Sequence, residues 1–337
     1  MTHKGKRPKE HPIRYKVELG AYRGAKFLVN LLPETVQLAL GRWGGKLGYT
    51  LDARHRRVAL QNLELAFPEW TLAERKRVAK ESFGNIGTAA VELATSAQLD
   101  RQSYLDRLDF EGWENFELAE QAGHGVLLMT AHFGNWEALA QAPVLRGKPV
   151  SFVARPLDNP YLETEIRRIR ERFGNHTIMK RGAARRLIRT LRSGGVTGLL
   201  IDQRVHPNEG RAYDFFGHPA YTTPLMARLS LRTGAPVVPV FGIPLDGWKR
   251  CRIVYRPPIF PETNGEDAVD RLTLQYLRSI EEAIREWPEL WLWAHRRWRK
   301  GRTVDSSTEA ESQSVSYTHL RAHETTSHIA DAVFGLK

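Results

Sequence analysis

The amino-acid sequence predicts an α/β fold, a largely parallel sheet flanked by helices, with an N-terminal helical membrane-associating extension. Two observations predict the sheet. Between residues 108 and 260 short apolar runs alternate with amphipathic segments of helical length, and each run stops abruptly at polar or glycine residues, as buried strands do. A third predicts the extension: the first hundred residues carry helical periodicity and no strand-like run.

In chain order, AYRGAKFLVNLL and TVQLALGRWGGKLGY read as two helices between residues 15 and 50, with Pro33 opening the second because its fixed φ suits a first turn. Their apolar faces fit a core or a membrane equally, since amphipathicity alone does not name the destination. Residues 54–66 and 72–95 continue as helix, the second started by Thr71 with Glu74 three residues on, the pattern of a capping box. LDFEGWENF opens the α/β part at about residue 108, and VLLMTAH is a buried strand. The unit recurs as PVSFVAR (149–155) before a helix over 160–173, as VTGLLIDQ (196–203) after a helix over 182–192, and as PVVPVFGIP (236–244) after a helix over 224–233. Strands separated by helices pair in parallel. CRIVYRPPI adds an antiparallel strand, and residues 266–287 form a closing helix.

These readings divide the chain into a basic arm and helical extension (1–100), an α/β core ending in a Trp/Arg segment (101–302) and a disordered tail (303–337). The tail begins as polar TVDSSTEAESQSVS. From about Val315 it resembles translated adaptor read-through, so no function is assigned to it. His319, His323 and His328 lie there, but without the carboxylate of an HExxH pattern they define no metal site.

Composition narrows the function classes. Hydrophobic residues at 42% and charged residues at 26% exclude wholesale disorder and fibrous repeats. The single cysteine, Cys251, excludes an internal disulfide framework and a cysteine-rich zinc site. No apolar run reaches the roughly 18 residues of a membrane-spanning helix and no cleavable signal is evident, so the chain is expected on the cytoplasmic side. The formal charge is +12, and Lys4, Lys6, Arg7, Lys9, Arg14 and Lys16 precede or open the first amphipathic helix against Glu10 alone. A basic arm beside amphipathic helices points to peripheral attachment at an anionic membrane surface. Arg185, Arg189 and Arg192 fall at i, i+4 and i+7 and form one helical face. Nucleic acid is not the expected partner, because no helix-turn-helix, zinc finger or RNA-binding aromatic motif accompanies the charge.

The sharpest chemical signal is TAHFGNWE, residues 130–137, placed where a buried strand ends and a helix begins. In open α/β sheets ligands bind along that edge. Histidine's unperturbed pKa lies near neutrality, so one placed there, His132, can act as a general base if a carboxylate fixes its tautomer. Glu137 is five residues on, about 140° away around a regular helix, so the two meet only if His132 precedes the helix. Gly134 and Asn135, a loop and N-cap pair, permit that. Asp202, at the end of VTGLLIDQ, reaches the same edge from another strand, and sequence leaves open which acid orients the imidazole.

TAHFGNWE, then ARPLDNPYLE, LLIDQR, DFFGHPAYTTPLMARLSLRTGAPVVPVF and LWLWAHRRWRKGR, in that order over residues 15–302, strongly resemble the lipid A biosynthesis lauroyl/myristoyl acyltransferase family of the lysophospholipid acyltransferase superfamily. The resemblance implies transfer of a fatty acyl chain from a thioester donor, acyl carrier protein or coenzyme A, to a hydroxyl of a membrane lipid acceptor, with no metal, no cofactor and no acyl-enzyme. It implies His132 as the base, Glu137 as its acidic partner and Arg155 as a positive group for the oxyanion or a phosphate. Asn135 is assigned to the substrate, as are Thr222 or Thr223, read as capping a helix that begins at Pro224. The Arg185, Arg189 and Arg192 face suits acidic acyl carrier protein, the donor's phosphopantetheine or lipid phosphates. Trp287, Trp291, Trp293 and Trp298 with Arg296, Arg297, Arg299 and Lys300 read either as interfacial anchors or as Arg–Trp stacking inside a closing element. Other acceptors, a phosphoinositol mannoside or a lysophospholipid, keep the same chemistry, and a non-catalytic lipid-binding scaffold is the reading from a different class.

Overall fold

The computed structural model describes residues 12–298 except 155, 180, 181 and 262–264. Four helices lead the chain: α1 (Pro12–Asn30), α2 (Glu34–Leu51), α3 (Ala53–Ala66) and α4 (Leu72–Ser96). Thr71 and Glu74 close the expected capping box, the Thr71 hydroxyl accepting the Glu74 N–H while the Glu74 carboxylate accepts the Thr71 N–H. A short helix, α5 (Arg101–Leu105), leads into β1 (Leu108–Glu111), α6 (Trp113–Gln121), β2 (Val126–Thr130), α7 (Trp136–Leu145), β3 (Val150–Ala154), α8 (Pro160–Glu171), β4 (His176–Met179), α9 (Ala183–Arg192) and β5 (Val196–Leu200). Then follow β6 (Arg211–Phe215), β7 (His218–Thr222), α10 (Leu225–Thr233), β8 (Val237–Leu245), β9 (Arg250–Tyr255) and α11 (Ala268–Glu286).

The main sheet has seven strands in the order β1-β9-β8-β2-β5-β3-β4. β8, β2, β5, β3 and β4 run parallel, β9 turns back antiparallel to β8 as the sequence predicts, and β1 runs parallel to β9. β2 is central and wholly buried, so both its faces are apolar. Leu127 and Met129 pack with α9, α10, α11, α3 and α4, whereas Val126 and Leu128 pack with Trp113 and Phe116 of α6 and Leu139 and Ala142 of α7. The helices α3 and α4 therefore belong to the larger of the two cores.

Besides the short helix α5, the strand β4 and the β6–β7 hairpin lie outside the sequence expectation. β4 is a four-residue edge strand. β6 and β7 form a hairpin whose two-residue turn is Phe216-Gly217, both at positive φ (55° and 74°). Phe216 holds that unfavourable backbone because its ring is buried against Phe67 and Phe215 and its N–H donates to Glu281 at 2.8 Å.

The N-terminal helices split their faces. α2 and α4 cross so closely that a methyl group at Gly45 would stand 2.0 Å from the Phe83 carbonyl oxygen and one at Gly87 would stand 2.1 Å from that of Gly41. On the opposite side of α2, Val36, Leu40, Trp43, Leu47 and Leu51 form an exposed apolar stripe, with Trp43 77% exposed. Phe27, Leu28 and Leu31 extend it from the end of α1. No described helix is long and apolar enough to cross a membrane.

Candidate active site

The register of β2 with β5 builds the site. Thr130 pairs with Leu200 at the ends of these parallel strands, so His132 and Asp202 each lie two residues beyond a paired position on the carboxyl edge. They meet: Nδ1 of His132 is 2.9 Å from one Asp202 carboxylate oxygen, and the His132 backbone N–H donates to the other at 3.0 Å. The Trp291 indole N–H donates to that second oxygen at 2.9 Å. Burial alone would raise the Asp202 carboxyl, but attraction to His132 and these three hydrogen bonds outweigh it and hold it down to about 2. With Asp202 ionised, the ring proton belongs on Nδ1 and the lone pair on Nε2, which lies on the side away from the carboxylate. The His132 side chain is 19% exposed against 2% for Asp202, so the base opens to the outside while its orienting acid does not.

The loop between β2 and α7 depends on Gly134. Its φ is +54°, and a Cβ there would stand 1.9 Å from the Gly242 carbonyl oxygen, so only glycine allows the chain to turn beside β8. Asn135 then caps α7, its Oδ1 accepting the Ala138 N–H at 3.0 Å. Its side chain is buried and also hydrogen-bonds Glu92, leaving both polar ends engaged within the protein.

Glu137 does not reach His132. It lies buried in the first turn of α7, gripped by both ends of the Arg170 guanidinium, with Nε at 2.9 Å. The choice between the two acids is thus made by geometry: Asp202 holds the imidazole and Glu137 fastens α7 to α8. Beneath this pair lies Glu92 of α4, whose carboxyl is pushed up to about 7, chiefly by burial and further by the Glu137 charge, against the lowering effect of the Asn135 hydrogen bond.

The segment after α11 closes the site from the third side. Leu292 N–H donates to the His132 carbonyl at 3.1 Å and Gly134 N–H to the Leu290 carbonyl at 2.9 Å. Side chains of the N-terminal helices hold this segment in turn: Ser82 donates to the Trp291 carbonyl, Asn85 to that of Glu289, and Asn62 to those of Trp293 and His295. Trp291, Trp293 and Trp298 are buried, as is Arg297, which stacks over Phe215 at 4.8 Å. Of the two sequence readings the closing element is therefore the one observed for these residues; Arg299 and Lys300 lie outside the described residues. His295 also adjoins the site. Burial lowers it to about 4, with the charges of His132, Arg297 and Arg204 adding to that and Asp202 opposing it. It is therefore neutral at pH 7, its Nε2 accepting the Arg204 N–H at 2.9 Å.

The remaining predicted residues fall elsewhere. Thr222 ends β7 and is fully buried, its hydroxyl donating to the Ala220 carbonyl and accepting from Arg297 at 2.6 Å, so it caps no helix and its single donor is engaged within the protein. The first helical residue is Leu225 rather than Pro224, and Thr223 accepts its N–H at 3.3 Å. Arg185, Arg189 and Arg192 are exposed together on α9 and, with Ile188 and Ser193, line a shallow depression. Because α9 runs back against β5, Arg192 lies at the sheet edge opposite His132. Arg155 lies outside the described residues. Sequence reasoning did not single out Gln203 or His295, and it read Trp291 as an anchor or closing-element residue rather than a partner of Asp202, although LLIDQR and LWLWAHRRWRKGR, the blocks that contain them, stood out as motifs.

Residues 3–300 match the family model described as bacterial lipid A biosynthesis acyltransferase. Over 285 residues the chain is 26% identical to the lipid A biosynthesis myristoyltransferase of Escherichia coli K12, covering 84% of this chain and 86% of that one. The palmitoleoyltransferase of the same strain is 27% identical over 84% and 92%, and its lauroyltransferase 26% over 86% and 93%. With its His132-bearing motif on the carboxyl edge of a mostly parallel sheet and nearly its whole length inside the family model, the chain is an acyltransferase and belongs to the bacterial lipid A biosynthesis acyltransferase family.

Proposed function

We propose that this acyltransferase moves a fatty acyl chain from a thioester donor to a hydroxyl of a lipid A precursor at a membrane surface, with His132 as general base. The observation that carries the reading is the contact of Asp202 with Nδ1 of His132, which leaves Nε2 as the only lone pair on the ring and turns it toward the open edge. In the reaction Nε2 takes the proton of the acceptor hydroxyl as its oxygen attacks the thioester carbonyl. The tetrahedral oxyanion collapses, expelling the thiolate, and the imidazolium returns the proton to sulfur, so ester and thiol are the products. The thioester supplies the activation; the scheme calls for no acyl-enzyme, metal or cofactor. Arg155 is assigned the oxyanion or a donor phosphate.

The acceptor follows from the relatives' names, and the exposed stripe of α2 supports work at a bilayer surface. Peripheral attachment through this stripe and the basic arm is part of the proposal, on the cytoplasmic face of the inner membrane, where both candidate thioester donors are found. The exposed arginine row of α9 favours acyl carrier protein, an acidic protein, over coenzyme A. Spread along the helix, the row suits docking of the carrier body rather than contact with the reacting atoms.

The test is mass spectrometry of lipids from cells expressing residues 1–305, wild type against His132→Ala. A new acyl ester on a lipid A precursor, reduced about 10²- to 10⁴-fold in rate by the substitution, is the expected result. Acylation of a lysophospholipid or an inositol mannoside would replace the acceptor and keep the chemistry. Retention of more than a tenth of wild-type turnover by a folded His132→Ala protein would overturn the base.

A further inference from the structure

The ring nitrogen of His132 that Asp202 leaves open is not bare. The side-chain amide nitrogen of Gln203 lies 3.4 Å from it. From this contact we infer that Gln203 is a catalytic residue, whose amide N–H binds the oxyanion formed as the acceptor hydroxyl attacks the thioester; the inference rests on His132 being the base.

The placement of Gln203 is determined from both sides. Its predecessor Asp202 is fixed by His132 and Trp291, while Arg204 donates its N–H to His295 at 2.9 Å and Val205 donates to the Tyr221 carbonyl at 3.2 Å. The orientation of the amide follows from the tautomer: with Nδ1–H on Asp202, Nε2 carries a lone pair, and only the NH₂ end of the amide is attracted to it. The contact is long, so an approaching hydroxyl, a better partner for Nε2, displaces the amide at little cost.

Proton transfer then changes what the amide can bind. Once Nε2 carries the acceptor's proton it is a donor and no longer attracts the amide N–H, which can then bind the oxygen that has just become negative. The π pair of the thioester carbonyl moves onto that oxygen in the same step, as the acceptor C–O bond forms and the O–H bond breaks. A donor already within 3.4 Å of the base is within side-chain reach of an oxyanion one bond from the attacked carbon. Collapse of the intermediate returns the pair to the carbonyl, breaks the C–S bond and sends the proton from Nε2 to the thiolate.

Steady-state kinetics with an acyl thioester and a lipid A precursor test this on Gln203→Ala and the isosteric Gln203→Glu, with His132→Ala in parallel. The expected result for both Gln203 variants is a fall in kcat of about 10²- to 10³-fold with KM for both substrates within threefold. The acid limb of the kcat–pH profile should stay in place while its plateau drops, a pattern that a merely loosened imidazole would not give. If Gln203→Ala fails to fold, Gln203→Glu, which keeps the volume, carries the test. More than a third of wild-type kcat in a folded variant, a loss confined to KM, or a shifted limb with an intact plateau would each overturn the role of Gln203. If His132→Ala itself stays active, the base assignment falls and this inference with it; an inactive His132→Ala beside an unimpaired Gln203→Ala removes the amide alone.

Discussion

Replacing Asp202 by Asn tests the core of the site, because the structure says which way the new amide must face. The carboxylate accepts three hydrogen bonds: from Nδ1 on one oxygen, and from the His132 N–H and the Trp291 indole on the other. An asparagine has one acceptor, and it satisfies most donors by turning its oxygen toward the pair and its NH₂ toward Nδ1. That forces the ring proton to Nε2 and removes the base lone pair without moving a heavy atom. A fall in kcat on the order of 10³- to 10⁴-fold is expected, the scale seen when an orienting carboxylate is made an amide. Stability records the same change. The carboxyl is held at about 2 from an ordinary 3.8, so its contribution is fully present above about pH 4 and is lost as pH falls through 2. Depression of that size corresponds to about 2 kcal/mol. Urea unfolding at pH 7, 4 and 2 should therefore show the wild type losing about that much more than Asp202→Asn across the acid range. A folded Asp202→Asn enzyme within tenfold of wild-type kcat would refute the tautomer argument.

Four further outcomes follow. Glu137→Gln should reduce kcat less than Asp202→Asn does, because its partner is Arg170; the reverse order in a direct kinetic comparison would return Glu137 to the imidazole. Trp43→Asp combined with Leu47→Asp should lower co-sedimentation with anionic vesicles without changing the thermal midpoint, both side chains being exposed. Gly45→Ala should destabilise by about 1–3 kcal/mol in denaturant unfolding, since its methyl group meets the Phe83 carbonyl at 2.0 Å. Reversing charge at Arg185, Arg189 and Arg192 together should cut kcat/KM with acyl carrier protein steeply at low salt and spare acyl-coenzyme A; equal rates with the carrier across ionic strength would free α9 from donor docking.

What the sequence made legible was whatever one strand or one helix decides alone. The buried runs that became β2, β3, β5 and β8, the Thr71–Glu74 capping box and the loop that sets His132 ahead of α7 are local facts. Asp202 was within reach too, because parallel strands end on a common edge, but its preference over Glu137 depends on the Thr130–Leu200 register and on Arg170, which arrives from α8. The hairpin was hidden by its turn: Phe-Gly lacks the Asn or Asp expected at positive φ, and burial of the ring compensates for that cost. The tryptophans of the final segment look alike as letters whether they face lipid or a core, and only the hydrogen bonds from Asn62, Ser82 and Asn85 decide.

The contact of the α2 and α4 backbones through glycine ties the exposed stripe of α2 to the site. Gly41, Gly45 and Gly87 bring the two helix backbones into direct contact, so the stripe led by Trp43 sits on a helix packed tightly against α4. Ser82 and Asn85 of α4 clasp the segment that ends in the indole on Asp202, and Asp202 clasps His132. From stripe to imidazole there is an unbroken run of short contacts. The fold therefore sets the position of the stripe relative to Nε2, so that a surface binding the stripe would meet the imidazole at one fixed distance.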